Sequence, residues 1–453
     1  MRVKFLWLLS FFLFTIPAWP QYGEPQETPS EKGAQPRYAN MPDEAVPYRR
    51  FTKPYKEWFV EPNTLEYNGA ARERISTDLM RSKTVNIGFL GPIENNPESP
   101  YGLAMLHGAQ MALEEANAAG GYGAGGMSQG KPYALKIHND AALWGASSTE
   151  IVKMGFQEQV VAMLGSIDGA STHIALRVTL KLEIPIMDTG TTDPTVTETR
   201  IQWLTHNFPD DRQQGYALAD YVFKQLKLKR VGVLRAQTRY ARVGVQKFND
   251  EARRMSRQPI LEVKFERGDK DFSEQLRKLQ NARIEGLVIW GEPPEAGLIL
   301  KQMRALGMKQ PAFGASRLAY PQLLEIAGPA AEGFVTTAAL DPSRSDERWL
   351  AFREKYRKAF NEEPDAYAAY AYDGMSMLIK AIEKAGVNRG RIMDALREHQ
   401  LKEYDGVSGR AQFDYTLNNI APVTLARVEG GKFVYWQAHR RETAAPGKGA
   451  GNP

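Results

Sequence analysis

The sequence predicts an α/β protein built as two doubly wound, parallel-sheet lobes. Three observations carry that expectation. Short apolar runs alternate with amphipathic helical stretches, so the chain reads as two consecutive series of βαβα units, each able to form its own parallel sheet covered by helices. The chain has 453 residues, more than one hydrophobic core ordinarily organises, so two or three domains are expected. Residues 160–197 deliver two strand ends and a helix N-terminus to one sheet edge. Open α/β sheets take ligands at such edges, and here the crevice between the lobes is the expected place.

The elements follow in order. A strand at 85–90 leads through a loop to a helix over 101–118, whose Leu106, Ala109, Leu113 and Ala116 share one face. A Gly-rich loop, 120–130, precedes a strand at 133–138 and a helix at 145–158. Beyond the central stretch the pattern predicts a crossover near 206–211. Helix 211–227, strand 230–234, helix 241–256, strand 260–265 and helix 271–282 come next. Strand 286–290, helix 295–307 and strand 311–314 complete the second series. A strand at 333–338, helices near 345–361, 365–386 and 389–399, and short strands at 411–414, 422–428 and 432–437 finish the body. The first lobe is expected at 84–207 with 339–418, the second at 208–338 with 419–441, and a disordered Gly/Pro tail at 442–453.

Within the central stretch, 160–164 is an apolar run of the kind a buried parallel strand shows. Residues 165–169 break it, and Ser171 and Thr172 are expected as N-caps of a helix reaching about Lys181. A second buried strand at 184–187 ends in the turn-forming Thr189-Gly190-Thr191-Thr192-Asp193-Pro194. Free backbone N–H groups and small hydroxyls collected at that edge suit a carboxylate or another small polar group. Two ordinary βα turns are the competing explanation.

Composition narrows the function. Apolar residues make up 43% and charged residues 25%, the balance of a folded soluble protein. Removing Arg2 and Lys4 with the leader brings the formal charge from +5 to +3, and no basic run alternates with aromatics, so nucleic acid is not an expected partner. Residues 1–21 have the form of a signal peptide: two basic residues, an apolar run over 5–16, then Pro17-Ala18-Trp19-Pro20. That run is short for a bilayer span. Export to a bacterial periplasm is expected, with no stable membrane insertion once the leader is removed; an uncleaved N-terminal anchor is the alternative, since a clean Ala-x-Ala is missing. With no cysteines, lipoprotein anchoring, disulfides, Cys-ligated zinc and thiol catalysis are excluded.

Residues 22–83 differ from the body. They open on Gly, Pro, Glu and Gln, and 47–68 is aromatic and basic with prolines that forbid a long helix. The segment is expected either to lie as an arm over the body or to dock a partner. Two motif matches fail on context. Gly126-Met127-Ser128-Gln129-Gly130 fits G-x-S-x-G but lacks the preceding strand and following helix of a nucleophile elbow. Gly125 to Lys131 has P-loop spacing, but Pro132 stands where the Ser/Thr belongs. His107, His138, His173, His206, His399 and His439 show no metal-ligand spacing. His138-Asn139-Asp140, and Asp168 beside His173, are candidates for the crevice mouth. No acid–base–nucleophile set assembles, so neither enzymatic activity nor any cofactor or metal is expected.

From about 84 to 441 the chain resembles the type I periplasmic solute-binding proteins of the leucine/isoleucine/valine-binding class, which feed ABC importers. The resemblance lies in the order of VNIGFLGPIE, YGLAMLHGAQMALEEANAAGG, MLGSIDGASTHIAL, IPIMDTGTTDPTVT, RVGVLRAQTRYARVG, PEAGLILKQMRALGM, IAGPAAEGFVTT and DAYAAYAYDGMSMLIKAIEKAG. It implies two lobes joined by three crossovers that hinge shut on a small polar ligand, an amino acid or a related amide or carboxylate, and an ABC permease as partner. It places the carboxylate grip at Gly169, where the family has Ser, with Ser171 and Thr172 beside it, and at Thr192 with Gly190 backbone. It places aromatics at Tyr101, Tyr240 and Tyr367, and Asp168 where the family is often uncharged. The second-lobe Glu that meets a ligand ammonium falls on Ser316, followed by Arg317, so Asp168 or Asp188 is expected to take over or the ligand to lack an ammonium. A sensor or accessory subunit docking through the arm is the alternative function. On this reading Thr192→Val and Tyr101→Ala each weaken ligand binding without unfolding the chain, Thr192→Val by about 1.5–3 kcal/mol, as titration calorimetry would record.

Overall fold

The computed structural model describes residues 81–437, save 125–129, 142, 200, 401–403 and 415. The leader, residues 22–80 of the arm, residues 126–129 of the G-x-S-x-G match, His439, the side chain of His399 and the tail lie outside the described residues.

Two sheets organise the body. The first is parallel throughout, in the order β2-β1-β3-β4-β5, from β1 (Val85–Gly91), β2 (Tyr133–Asn139), β3 (Ala162–Leu164), β4 (Ile186–Asp188) and β5 (Leu204–His206). Its crossover helices are α1 (Ser99–Ala118), α2 (Trp144–Phe156) and α3 (Gly169–Leu182), with the single turn α4 (Thr195–Glu198) before β5. β3, β4 and β5 are buried along their whole length, and their apolar residues have no solvent face to alternate toward.

The second sheet runs β14-β13-β10-β9-β8-β6-β7, from β6 (Val231–Ala236), β7 (Leu261–Phe265), β8 (Gly286–Trp290), β9 (Ala312–Gly314), β10 (Val335–Ala338), β13 (Thr424–Glu429) and β14 (Lys432–Gln437). β13 runs antiparallel to both β10 and β14, and β14 returns to it through the tight Gly430-Gly431 turn, where both residues have positive φ. The helices of this lobe are α5 (Asp211–Ala219), α6 (Arg239–Arg254), α7 (Ser273–Asn281), α8 (Pro293–Ala305) and α9 (Pro321–Ala327). Then α10 (Glu347–Phe360), α11 (Ala366–Ala385) and α12 (Arg389–Gln400) return to the first sheet. Tyr367, Met375, Leu378 and Ile392 join Ile87, Phe89 and Met105 in one core, while Val233, Phe248, Leu287, Ile299 and Phe334 make a separate one.

Four elements differ from what the sequence suggests. Asp168, not Ser171 or Thr172, caps α3, its side chain accepting the Ser171 N–H at 2.9 Å. The crossover expected at 206–211 starts one residue late: His206 is the last residue of β5 (Leu204–His206), a strand too short to show periodicity, and the passage between lobes begins after it, at Asn207. The helix expected over 211–227 is α-helical only to Ala219 and continues as a π-helical turn, Asp220–Gln225. The strand expected at 411–414 shrinks to β12 (Arg410–Ala411), paired with β11 (Tyr404–Asp405).

The chain passes between the sheets after β5, after β10 and before β13, and the first and third passages are laced together. His206 N–H donates to Leu417 O, Asn419 N–H donates to His206 O, and Asn419 Nδ2 donates to Asn207 O at 2.8 Å. The buried His206 ring lies between Asn418 Oδ1 at 2.6 Å and Thr191 O at 2.8 Å. In the first lobe α1 and α11 touch backbone to backbone at Gly108, where a Cβ would overlap the carbonyl of Ala368. Gly108→Ala should therefore push α1 off α11, costing about 1–3 kcal/mol, visible as a lowered urea midpoint with unchanged secondary structure.

Candidate ligand-binding cleft

Two helices, one in each lobe, begin with glutamate followed closely by proline: Glu98-Ser99-Pro100 opens α1 and Glu292-Pro293-Pro294 opens α8. Proline has no N–H to offer, and neither glutamate caps its own helix. Both carboxylates instead meet the Arg317 guanidinium, which enters from the short 3-10 turn Ser316–Leu318 after β9. Arg317 Nη1 lies 2.7 Å from Glu292 and 3.4 Å from Glu98, so the pairing spans the lobes. Arg317 is 2% exposed; a charge that deeply buried is tolerated only with such partners.

Tyrosines enclose this group. The guanidinium stands 4.1 Å above the Tyr240 ring and 5.7 Å from that of Tyr101. Tyr101 stacks on Tyr367 at 4.9 Å, and Tyr367 on Phe208 at 5.0 Å, while the Tyr101 hydroxyl reaches Glu292 at 3.4 Å. Three aromatics expected from the sequence are thus brought together. Ser316 stands beside them, its N–H donating to Gln214 Oε1 at 3.0 Å.

The small-residue edge forms the opposite wall, with carboxyls where the resemblance implies a serine hydroxyl. At Gly169 a side chain would collide with the Asp193 carboxylate. Asp193 binds Arg239 of the second lobe, with Nη2 at 2.7 Å and Nε at 2.8 Å, a further charged link between the lobes. Thr192 Oγ1 donates to Asp211 at 3.2 Å, and burial, reinforced by Asp193 and Asp210, pushes the Asp211 carboxyl well up. Burial also raises the Asp168 carboxyl; the Ser171 N–H pulls it back, Glu98 raises it further, and Arg317 lowers it, which places Asp168 within electrostatic reach of the cleft pair.

Other expected residues are taken up by their own turns. Thr172 Oγ1 donates to the Asp168 carbonyl within α3. Gly190 donates its N–H to Asp188 at 3.2 Å, so that N–H is held inside the turn. Asp188 accepts Gly190 and Thr191 N–H groups and faces His206, not the cleft. The acids that meet in the cleft are Glu98, Glu292, Asp193 and Asp211, none singled out from the sequence. The Glu-before-Pro pattern at two helix starts was the available signal. Among the histidines proposed for the mouth, His138 binds Glu150 and Glu158, and His173 binds Thr195 at 2.7 Å. Among the described residues no cluster of His, Asp and Glu is arranged for a metal.

Several cleft atoms are buried without a hydrogen-bond partner: Ser171 Oγ, Tyr240 OH and Arg317 Nε, which can donate, and Glu98 Oε2 and Asp211 Oδ1, which can accept. An unmet buried polar atom costs about 1–3 kcal/mol. Tyr240 lies under the Arg317 guanidinium and Glu98 pairs with it, so three of these atoms stand together between the lobes.

A family model described as periplasmic binding protein matches residues 84–432. The chain is 28% identical to Leu/Ile/Val-binding protein homolog 1 of Brucella suis over 305 residues, 67% of this chain and 79% of the relative. It is 27% identical to the amino acid binding protein of Pseudomonas aeruginosa over 333 residues, 73% and 86% respectively. The fold superposes with a TM-score of 0.70 on LivJ, the branched-chain amino acid transporter substrate-binding protein of Streptococcus pneumoniae, solved with isoleucine, at 25% identity, over 78% of this chain and 99% of that one.

One pH effect follows from the misplaced acid. Burial lifts the Asp188 carboxyl to about 7, against the pull of His206 and the turn N–H groups. The folded chain then holds this proton more tightly than the unfolded one, whose Asp titrates near about 3.9. Stability from this group is full below about pH 4 and is lost as pH rises to about 7. Asp188→Asn should remove that part of the slope, so urea midpoints of variant minus wild type should climb between those limits and level off above.

Proposed function

The chain belongs to the periplasmic binding protein family, in its type I leucine/isoleucine/valine-binding class, and from that premise we propose that it is a receptor that captures an amino-acid-type ligand between its lobes and delivers it to an ABC importer. The observation that carries this is the set of unpartnered buried atoms of both signs in the cleft. A zwitterion answers both sets. Its ammonium donates to Glu98 Oε2, with Glu292 close by on Arg317, and so the acid missing at Ser316 is replaced from two helix starts. Its carboxylate accepts from Ser171 Oγ at the head of α3, from Tyr240 and from Arg317 Nε. Asp168 and Thr192 shape that end through the cap and the Asp211 bond.

Capture in this reading is a closing motion and involves no bond making. The ligand touches both lobes only when they are shut, so it binds the closed arrangement better and shifts the population toward it. The pairs Asp193–Arg239, Glu98–Arg317 and Glu198–Lys247 form across the same divide and set how the lobes register. The names of the relatives, which speak of amino acids, agree with this ligand class. Export through the leader at 1–21 would put the receptor in the periplasm, beside its permease; no helix among the described residues is long and apolar enough to cross a membrane.

The test compares whole amino acids with their halves. In a thermal-shift and calorimetric series, a neutral L-amino acid at a hundred times its Kd should add about 2.7 kcal/mol of stability. The matching amine and the matching carboxylic acid should each bind at least tenfold more weakly. Glu98→Gln should weaken the amino acid by about 1.5–3 kcal/mol; because Glu98 also partners the buried Arg317, the free chain should melt lower as well, and affinities are compared at a temperature where both chains are folded. A simple carboxylate or a sugar binding as well as any amino acid would contradict the proposal.

A further inference from the structure

A cavity of about 460 Å³ adjoins the cleft on the side of the first two crossovers. Ser316, Arg317 and Tyr367, which meet in the cleft, also line it. Its walls are aromatic: Phe208, Tyr320, Trp349, Tyr367, Phe433 and Tyr435, with Leu340 between them. They come from both lobes, Trp349 and Tyr367 from α10 and α11, Phe433 and Tyr435 from β14. At the rim, Arg353 and Glu363 pair at 2.8 Å and are partly exposed.

Two polar groups on these walls hold each other: Tyr320 OH donates to Asp365 at 3.0 Å, and Asp365 accepts the Ala368 N–H at 2.9 Å as the cap of α11. Arg317 Nε, at the end shared with the cleft, is buried without a partner. The walls offer mostly ring faces and edges. The cavity's volume is that of a small-molecule site. Aromatic groups gain from offset-stacked and edge-on contacts that aliphatic ones cannot make.

We propose that this cavity receives an aromatic ring, the side chain of the amino-acid-type ligand held in the cleft, so that the chain selects aromatic over small aliphatic amino acids. The proposal rests on the receptor reading above for the polar end of the ligand. It adds that Trp349, Tyr320, Phe433 and Tyr435, beyond the polar cleft, set specificity.

The full mature chain is titrated with L-phenylalanine, L-alanine and free indole, as wild type and as two cavity-filling variants, Ala319→Phe in the second lobe and Ala339→Phe on the second crossover, both at lining positions. Phenylalanine should bind wild type at least tenfold tighter than alanine. Either variant should bring phenylalanine down to the level of alanine, leaving alanine affinity and the melting curve within twofold and a degree or two of wild type. Phenylalanine no tighter than alanine, or phenylalanine unaffected in both variants, would overturn the proposal while leaving the receptor reading in place. If no amino acid binds but indole does, and both variants abolish it, the cavity takes rings and the zwitterion reading fails. If neither amino acids nor indole bind, both fail.

Discussion

A buried guanidinium between two lobes imposes the terms on everything near it. Arg317 leaves water almost completely, and without anions at hand it would cost several kcal/mol. The chain supplies one carboxylate from each lobe, Glu98 and Glu292, each released from capping duty by a proline at its helix start. Tyr240 and Tyr101 supply the faces on which the cation rests. Because the anions come from different lobes, the ion pair exists only when the lobes stand in one relation to each other. The same atoms that stabilise Arg317 are those a ligand would meet, so closure, charge balance and recognition are set together.

The polar joints between lobes extend that logic outward. The side chains of His206, Asn418 and Asn419 tie the first and third passages into one narrow ladder of hydrogen bonds. The lobes on either side have separate apolar cores. Two separately packed bodies joined by a polar ladder are the arrangement in which hinge closure around a ligand occurs. Asp188 illustrates the cost of that ladder. It braces the 189–191 turn against His206, and burial raises its carboxyl to about 7.

Much of the fold was legible because its signals are local. The strand at 286–290 and that at 432–437 have the bounds the sequence suggested, since apolar runs closed by glycine, proline or charge leave little freedom. β5 was missed because three residues carry no period, and the π-helical turn at 220–225 because nothing in its composition differs from an α-helix. In the cleft, Tyr101, Tyr240 and Tyr367 come together around Arg317, and Ser316 precedes it; each lies near a recognisable element end. Glu98, Glu292, Asp193 and Asp211 were not legible. Glu98 and Glu292 lie 194 positions apart and come together only through the interlobe geometry, and Asp193 takes the space of a side chain that Gly169 lacks. Ser171 and Thr172 were given the cap that Asp168 holds, because all three are good caps and only packing chooses among them.

On the proposed function, the cleft holds a ligand carrying both charges between Glu98 and Arg317. A crystal structure of the mature chain grown with an amino acid that stabilises it tests this most directly. The ligand ammonium should then lie within hydrogen-bond distance of Glu98 Oε2 and its carboxylate against Ser171 Oγ and the start of α3, with Asp193 still paired to Arg239. A ligand bound elsewhere, or one lying in the cleft with its carboxylate toward Glu98 and its ammonium away from every acid, would contradict it.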